Sequence, residues 1–201
     1  MKRATDIIGL IPLSLIASPV VVLEAIYVAY KDRAWPFYVL PCVGKNEEPF
    51  GRLKIRTMKV GADNEPGFGI PMLTKSPDDP RVVHPRLRKT SLDELPQILN
   101  VLKGEMSIVG PTGRPKSELD YFKKAKDWEP ELRGRINRYL SLRPNARPGM
   151  TGLQQTMGRA NLTLSETILL EAWYLENASW VVDLSTIWGT LLAVKSGKGA
   201  F

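Results

Sequence analysis

One cysteine, Cys42, and one histidine, His84, are present in 201 residues. A single thiol excludes an internal disulfide and a cysteine-cluster metal site. A single imidazole argues against a histidine-built zinc centre and against a Ser-His-Asp triad. His84 therefore reads as a structural or surface residue. No internal repeat occurs at solenoid spacing. The 16 prolines and 16 glycines are spread along the chain, so there is no long disordered tract. The aromatic residues are not interleaved with the basic ones as a stacking platform requires, so nucleic acid is not an expected partner. Positive charge is in surplus: 28 Lys and Arg against 21 Asp and Glu, a formal net charge of +7. Such a balance points to an anionic lipid surface or a phosphorylated substrate. The length is enough for one domain with a real core.

Lys2 and Arg3 lead into an apolar tract over residues 7–30. That is long enough for a helix across ~30 Å of hydrocarbon. A cleaved signal peptide fits the basic start, but the tract is long and no clear cleavage site follows. A simple spanning helix fits the length. A re-entrant helix-break-helix fits Ser18-Pro19 at the middle, where Pro19 cannot donate a backbone hydrogen bond and Ser18 can satisfy a freed carbonyl. It also fits the basic residues at both ends, Lys2 and Arg3, then Lys31 and Arg33, because positive charge prefers the cytoplasmic side. Glu24 would cost ~3 kcal/mol at the bilayer centre, and a return helix would lift it towards the headgroups.

Trp35, Phe37 and Tyr38 suit an interfacial aromatic belt or a half-buried strand over 37–42. A turn over 44–49 and a strand over 50–58 complete a hairpin. On that second strand Arg52, Lys54 and Arg56 share one face. Residues 61–80 are polar and rich in Gly, Pro and Asp, which reads as a loop. Asp78 and Asp79 are metal-ligand candidates there, although an acidic turn is the plainer reading. Between residues 52 and 89 nine Lys and Arg stand against four Asp and Glu, a surplus that suits a diphosphate.

The stretch Lys89-Thr90-Ser91-Leu92-Asp93-Glu94-Leu95-Pro96-Gln97 sets two adjacent acids behind the cluster Arg86, Arg88 and Lys89. As local structure, Ser91-x-x-Glu94 is a capping box. Leu92, Leu95, Ile98, Leu99 and Leu102 would then form the buried stripe of an amphipathic helix. Helices are also expected over 117–142, interrupted at Pro130, over 163–180 and over 183–195. Arg133, Arg135, Arg138 and Arg143 would face headgroups or solvent.

The run continues Ile98-Leu99-Asn100-Val101-Leu102-Lys103-Gly104-Glu105-Met106-Ser107-Ile108-Val109-Gly110-Pro111. From Lys89 to Pro111 it resembles the signature of the bacterial sugar transferases, the monotopic polyprenyl-phosphate phosphoglycosyl transferases. The resemblance implies that Asp93 and Glu94 are the catalytic dyad and hold Mg²⁺. Lys54-Ile55-Arg56-Thr57-Met58 resembles the family's basic strand motif. That puts Lys54 and Arg56, with Arg88, on the substrate. The family usually carries a basic residue near the place of Cys42, and here the match is poorer. Its Gly-Pro-Arg-Pro wording is interrupted by Thr112-Gly113, so the phosphate-contacting role carries over to Arg114, followed by Pro115. Segments 147–155 and 158–161 resemble its nucleotide-side loop and bring in Gln154 and Arg159. Glu171 stands where the family usually has Asp.

The implied fold is α+β and mostly helical. It has an N-terminal re-entrant membrane helix broken at Ser18-Pro19, a small β-hairpin and interfacial amphipathic helices. Residues 1–33 would be the membrane-associated part. Residues 34–201 would form a catalytic domain on the cytoplasmic face of the bacterial inner membrane. The implied reaction moves a sugar 1-phosphate from a UDP-sugar to polyprenyl (undecaprenyl) phosphate through a phosphoaspartyl intermediate, releasing UMP. Membrane lipid is a further partner, and a homodimer is compatible with this scheme. The competing reading is a membrane-tethered basic binding module without catalysis, in which Asp93 and Glu94 only cap a helix.

Overall fold

The apolar N-terminal tract forms one helix, α1 (Lys2–Asp32), in the computed structural model, which describes residues 2–62, 79–124, 128–158 and 161–196. Its buried residues, Asp6, Leu10, Ala17, Glu24 and Val28, recur at helical spacing and make one stripe. The opposite face is apolar and bare, with Ile8, Leu15, Ile16, Leu23 and Ile26 all exposed. Among the described residues α1 is the only helix long and apolar enough to cross a membrane. The break expected at Ser18-Pro19 does not interrupt the helix: Pro12 and Pro19 both lie inside it. A proline removes one hydrogen bond, and the flanking bonds can carry a helix through the gap.

Both ends of α1 are fastened to the rest of the chain. Near the start, Lys2 donates to Tyr174 (2.7 Å) and Asp183 (2.5 Å). Arg3 donates to the carbonyls of Val101 and Leu102. Asp6 accepts from the Ser107 hydroxyl (2.9 Å) and the Ile108 N–H (3.1 Å). At the other end Asp32 meets His84 Nε2 at 2.9 Å, and Tyr27 packs edge-on against the same imidazole.

Strands β1 (Phe37–Val43) and β2 (Pro49–Ile55) make the expected antiparallel hairpin around a 3₁₀ turn, Lys45–Glu47. The register pairs Tyr38 with Lys54, Leu40 with Arg52 and Cys42 with Phe50. Those six side chains therefore share one face. Helices α2 (Pro85–Thr90) and α3 (Ile98–Lys103) flank a 3₁₀ segment, Leu92–Gln97. β3 (Ser107–Val109) then pairs in parallel with β4 (Gly149–Thr151). A Cβ on Gly149 would fall 2.1 Å from the Gly110 nitrogen, so only glycine lets these backbones approach.

The remaining helices are α4 (Lys116–Lys124), α5 (Pro130–Leu142), α6 (Leu153–Met157), α7 (Leu164–Asn177) and α8 (Trp180–Ser196). Pro130 opens α5, where its missing N–H costs least. The helix expected over 163–180 ends at Asn177 and the last helix starts afresh at Trp180. The capping box expected at Ser91 occurs instead at α7, where Thr163 and Glu166 bond reciprocally. One core cluster joins Leu10 of α1 to Ile98, Val101, Met106, Val109 and Tyr174. A second joins Leu119, Phe122, Ile136, Tyr139, Ile168 and Ala172. The apolar residues Trp180, Leu184, Trp188 and Leu191 of α8 are exposed, so they belong to neither core.

Candidate active site

The acid pair is placed by an irregular turn. α2 stops at Ser91, whose φ of 56° is left-handed and whose N–H bonds to the Arg88 carbonyl. The Ser91 side chain makes no capping hydrogen bond, so the Ser91–Glu94 capping box is absent. The chain winds on as a 3₁₀ helix with Pro96 inside it. At three residues per turn, Asp93 and Pro96 fall on one face, and both are buried. The apolar stripe rotates as a result: Asn100 and Val101 are buried while Leu99 and Leu102 stand about half exposed. Asn100 braces the hairpin from behind, accepting from Leu53 N–H (3.0 Å) and donating to the Gly51 carbonyl (2.7 Å).

Asp93 is 5% exposed. Burial pushes its carboxyl up to about 6; Lys54 and Arg88 pull it down and Glu94 pushes it further up. Lys54 reaches across from β2 and donates to Glu94 Oε1 at 2.5 Å. Lys54, Arg56 and Lys59 line a shallow basic pocket with Tyr38 and Thr57. The structure thus gathers Asp93, Glu94, Lys54, Arg56 and Arg88. It adds Glu24, which sequence reasoning had assigned to the headgroups. Glu24 is buried, lies within electrostatic reach of Asp93, and has an Oε2 with no hydrogen-bond partner. The signal was available: a lone carboxylate in an apolar tract marks a functional site by default.

Other expected site residues are not brought to the acid pair. Arg114 is 4% exposed and sits in the second core. Its guanidinium donates to Glu118, to Glu171 Oε1 (2.9 Å) and to the Tyr139 hydroxyl (3.2 Å). It also stacks over the Phe122 ring at 5.3 Å. Burial works against this charge, but Glu171, Tyr139 and Glu118 outweigh it and raise the pKa above the ordinary arginine value. The physical reason is its partners: Glu118, Glu171 and Tyr139 satisfy the guanidinium within the core, away from the acid pair. Pro115 closes that loop and accepts the first backbone bonds of α4. Gln154 donates to the Thr112 hydroxyl at 2.7 Å, so it braces the insertion. Arg143, expected at headgroups or solvent, is buried and donates to the Val43 carbonyl. Asp79 is clamped by its own neighbour Arg81 (2.8 and 2.9 Å), which holds its carboxyl down at about 2. Asp78 and Arg159 lie outside the described residues.

No cluster of three His, Cys, Asp or Glu side chains poised for a metal occurs among the described residues. That does not conflict with Mg²⁺, which is held through one or two carboxylates plus substrate phosphates and water. Asp93 and Glu94 are adjacent hard-oxygen donors beside a basic pocket, so their chemistry fits such an ion.

The family model described as bacterial sugar transferase matches residues 1–197. An uncharacterized sugar transferase of Haemophilus influenzae is 35% identical over 213 residues, covering 100% of this chain and 42% of that protein. The exopolysaccharide production protein ExoY of Sinorhizobium fredii is 34% identical over 212 residues, 100% of this chain and 88% of its own length. The undecaprenyl-phosphate galactose phosphotransferase of Salmonella typhimurium is 33% identical over 216 residues, 100% of this chain and 42% of that protein. The chain thus spans about two fifths of the Haemophilus and Salmonella relatives. By name the Haemophilus relative is a sugar transferase and the Salmonella relative a sugar phosphotransferase. The chain belongs to the bacterial sugar transferase family.

Proposed function

We propose that the chain is a membrane phosphoglycosyl transferase, moving a sugar 1-phosphate from a UDP-sugar to polyprenyl phosphate. The observation that carries this is the placement of Asp93: a buried carboxylate beside the Lys54–Glu94 pair, where an apolar helix meets a basic strand. The Salmonella relative, an undecaprenyl-phosphate galactose phosphotransferase by name, agrees with transfer of a sugar phosphate to polyprenyl phosphate. An Asp93 oxygen attacks the sugar-bearing phosphorus, the bond to the UMP oxygen breaks, and UMP leaves with that electron pair. An oxygen of the lipid phosphate then attacks the same phosphorus and returns Asp93 as a carboxylate. Lys54 and Arg88 offset the repulsion between carboxylate and diphosphate, with Arg56 lining the approach. Glu94 is held by Lys54 and directs it towards the reacting centre. Mg²⁺ on Asp93 and Glu94 would neutralise diphosphate charge when bound.

The lipid substrate explains the bare apolar faces of α1 and α8, which would lie in the membrane. A course for α1 that keeps both of its ends on one side of the bilayer is supported by the two fastened ends. Lys2 and Asp32 both hold residues of the same catalytic body, so both ends belong on one side of the bilayer, the cytoplasmic one. Residues 1–33 then act as the membrane part and 34–201 as the catalytic part, at the first step of glycoconjugate assembly.

The test is release of UMP from a panel of UDP-sugars by the purified chain with undecaprenyl phosphate. Asp93→Asn should abolish release while the protein keeps its fold. UMP release near the unchanged level in Asp93→Asn would end the covalent reading. A chain silent with every sugar would favour the binding module.

A further inference from the structure

Arg52 is a cation without a counter-ion among the described residues. It stands on β2 two residues before Lys54, on the same face of the hairpin. Lys54 is occupied by Glu94, and Arg114 is saturated by Glu118, Glu171 and Tyr139. Arg52, by contrast, has no hydrogen-bond or ion-pair partner among the described residues, and its Nε is buried. Its stem lies against the inserted loop: a Cβ on Gly113 would stand 3.7 Å from Arg52 Cδ and 3.4 Å from the Phe50 ring. The Cys42 thiol on the facing strand feels both Arg52 and Lys54, which sets the two cations on one side of the hairpin. A buried donor with no acceptor is destabilising. A guanidinium with a fork of N–H groups has a natural acceptor in the oxygens of a phosphate.

We propose that Arg52 is a phosphate-binding residue, reaching over the Thr112-Gly113 loop to hold a substrate oxyanion beside Lys54. This rests on the transfer reading above, in which two substrates carry phosphate: the UDP-sugar and the lipid. The inserted loop and the arginine belong together, because Gly113, next to the buried Arg114, also backs the stem of Arg52.

The experiment uses the full chain in detergent with Mg²⁺, as Arg52→Met, which keeps the stem and loses the charge, and as Arg52→Lys. UDP and a short-chain prenyl phosphate are titrated separately by calorimetry, and Tm is recorded for each variant. Arg52→Met should weaken one of the two ligands by about tenfold or more with Tm unchanged. The ligand that weakens identifies the phosphate held. Arg52→Lys, which keeps a point charge without the fork, should fall between. If both affinities hold in Arg52→Met while Tm also holds, Arg52 binds no phosphate and the proposal is overturned. If Arg52→Met lowers Tm markedly, Arg52→Lys decides: a weakened ligand supports the proposal and unchanged affinities overturn it. Both titrations read binding without turnover. Failure of the transfer reading shows separately, as absent UMP release by the unchanged chain.

Discussion

Replacing Arg114 by methionine separates a core arginine from a substrate-binding one. The guanidinium is 4% exposed and neutralises Glu118 and Glu171, themselves 7% and 1% exposed. Removing it strands two buried carboxylates and leaves the Tyr139 hydroxyl without its partner. Breaking a buried pair from one side costs ~3–5 kcal/mol. For a chain of this length each kcal/mol moves Tm by roughly 2–4 °C, so the midpoint should fall by roughly 6–20 °C. Intrinsic fluorescence of the five tryptophans reports the transition in detergent. Adding Glu171→Gln to Arg114→Met should cost less than the two changes summed, because the second removes one of the stranded charges. Below the lowered midpoint, turnover should remain near that of the unchanged chain. A variant with unaltered Tm and lost turnover would mean that Arg114 leaves the core to meet substrate.

On the proposed mechanism, the donor half-reaction should depend on pH through Asp93, which attacks only when ionised. With its carboxyl at about 6, single-turnover UMP release without acceptor should be flat above that pH and fall about tenfold per unit below it. A rate unchanged down to pH 5 would contradict the assignment. Topology is tested in a Cys42→Ser background with single cysteines at Ala4 and Lys45, both exposed in the fold. A thiol reagent that cannot cross the inner membrane should label neither until the cells are opened; labelling at position 4 alone would mean a spanning helix.

Much of this architecture was readable because it is local. The apolar period of α1, the alternation that puts Arg52 and Lys54 on one face, and Pro130 opening α5 all depend on neighbours in sequence. What escaped depends on distant partners. The left-handed Ser91 turned the expected capping box into a 3₁₀ segment that buries Asp93. Glu24 comes within electrostatic reach of Asp93 across 69 positions of sequence, a distance no periodicity reports. Arg114 was legible as a charged residue in a loop, but its burial needed Glu171 and Tyr139 from two later helices. The departure from the family wording at Thr112-Gly113 was visible in the sequence, and only its destination in the core was not.

In the proposed mechanism Asp93 becomes covalently loaded with a sugar phosphate. The direct measurement is peptide mass spectrometry of the chain incubated with UDP-sugar and Mg²⁺, with polyprenyl phosphate withheld. A sugar-phosphate adduct is expected on the peptide carrying Asp93, absent in Asp93→Asn and discharged when lipid phosphate is added. Product formation with both substrates present, but with no adduct and with intersecting initial-rate lines, would mean direct transfer in a ternary complex and contradict it.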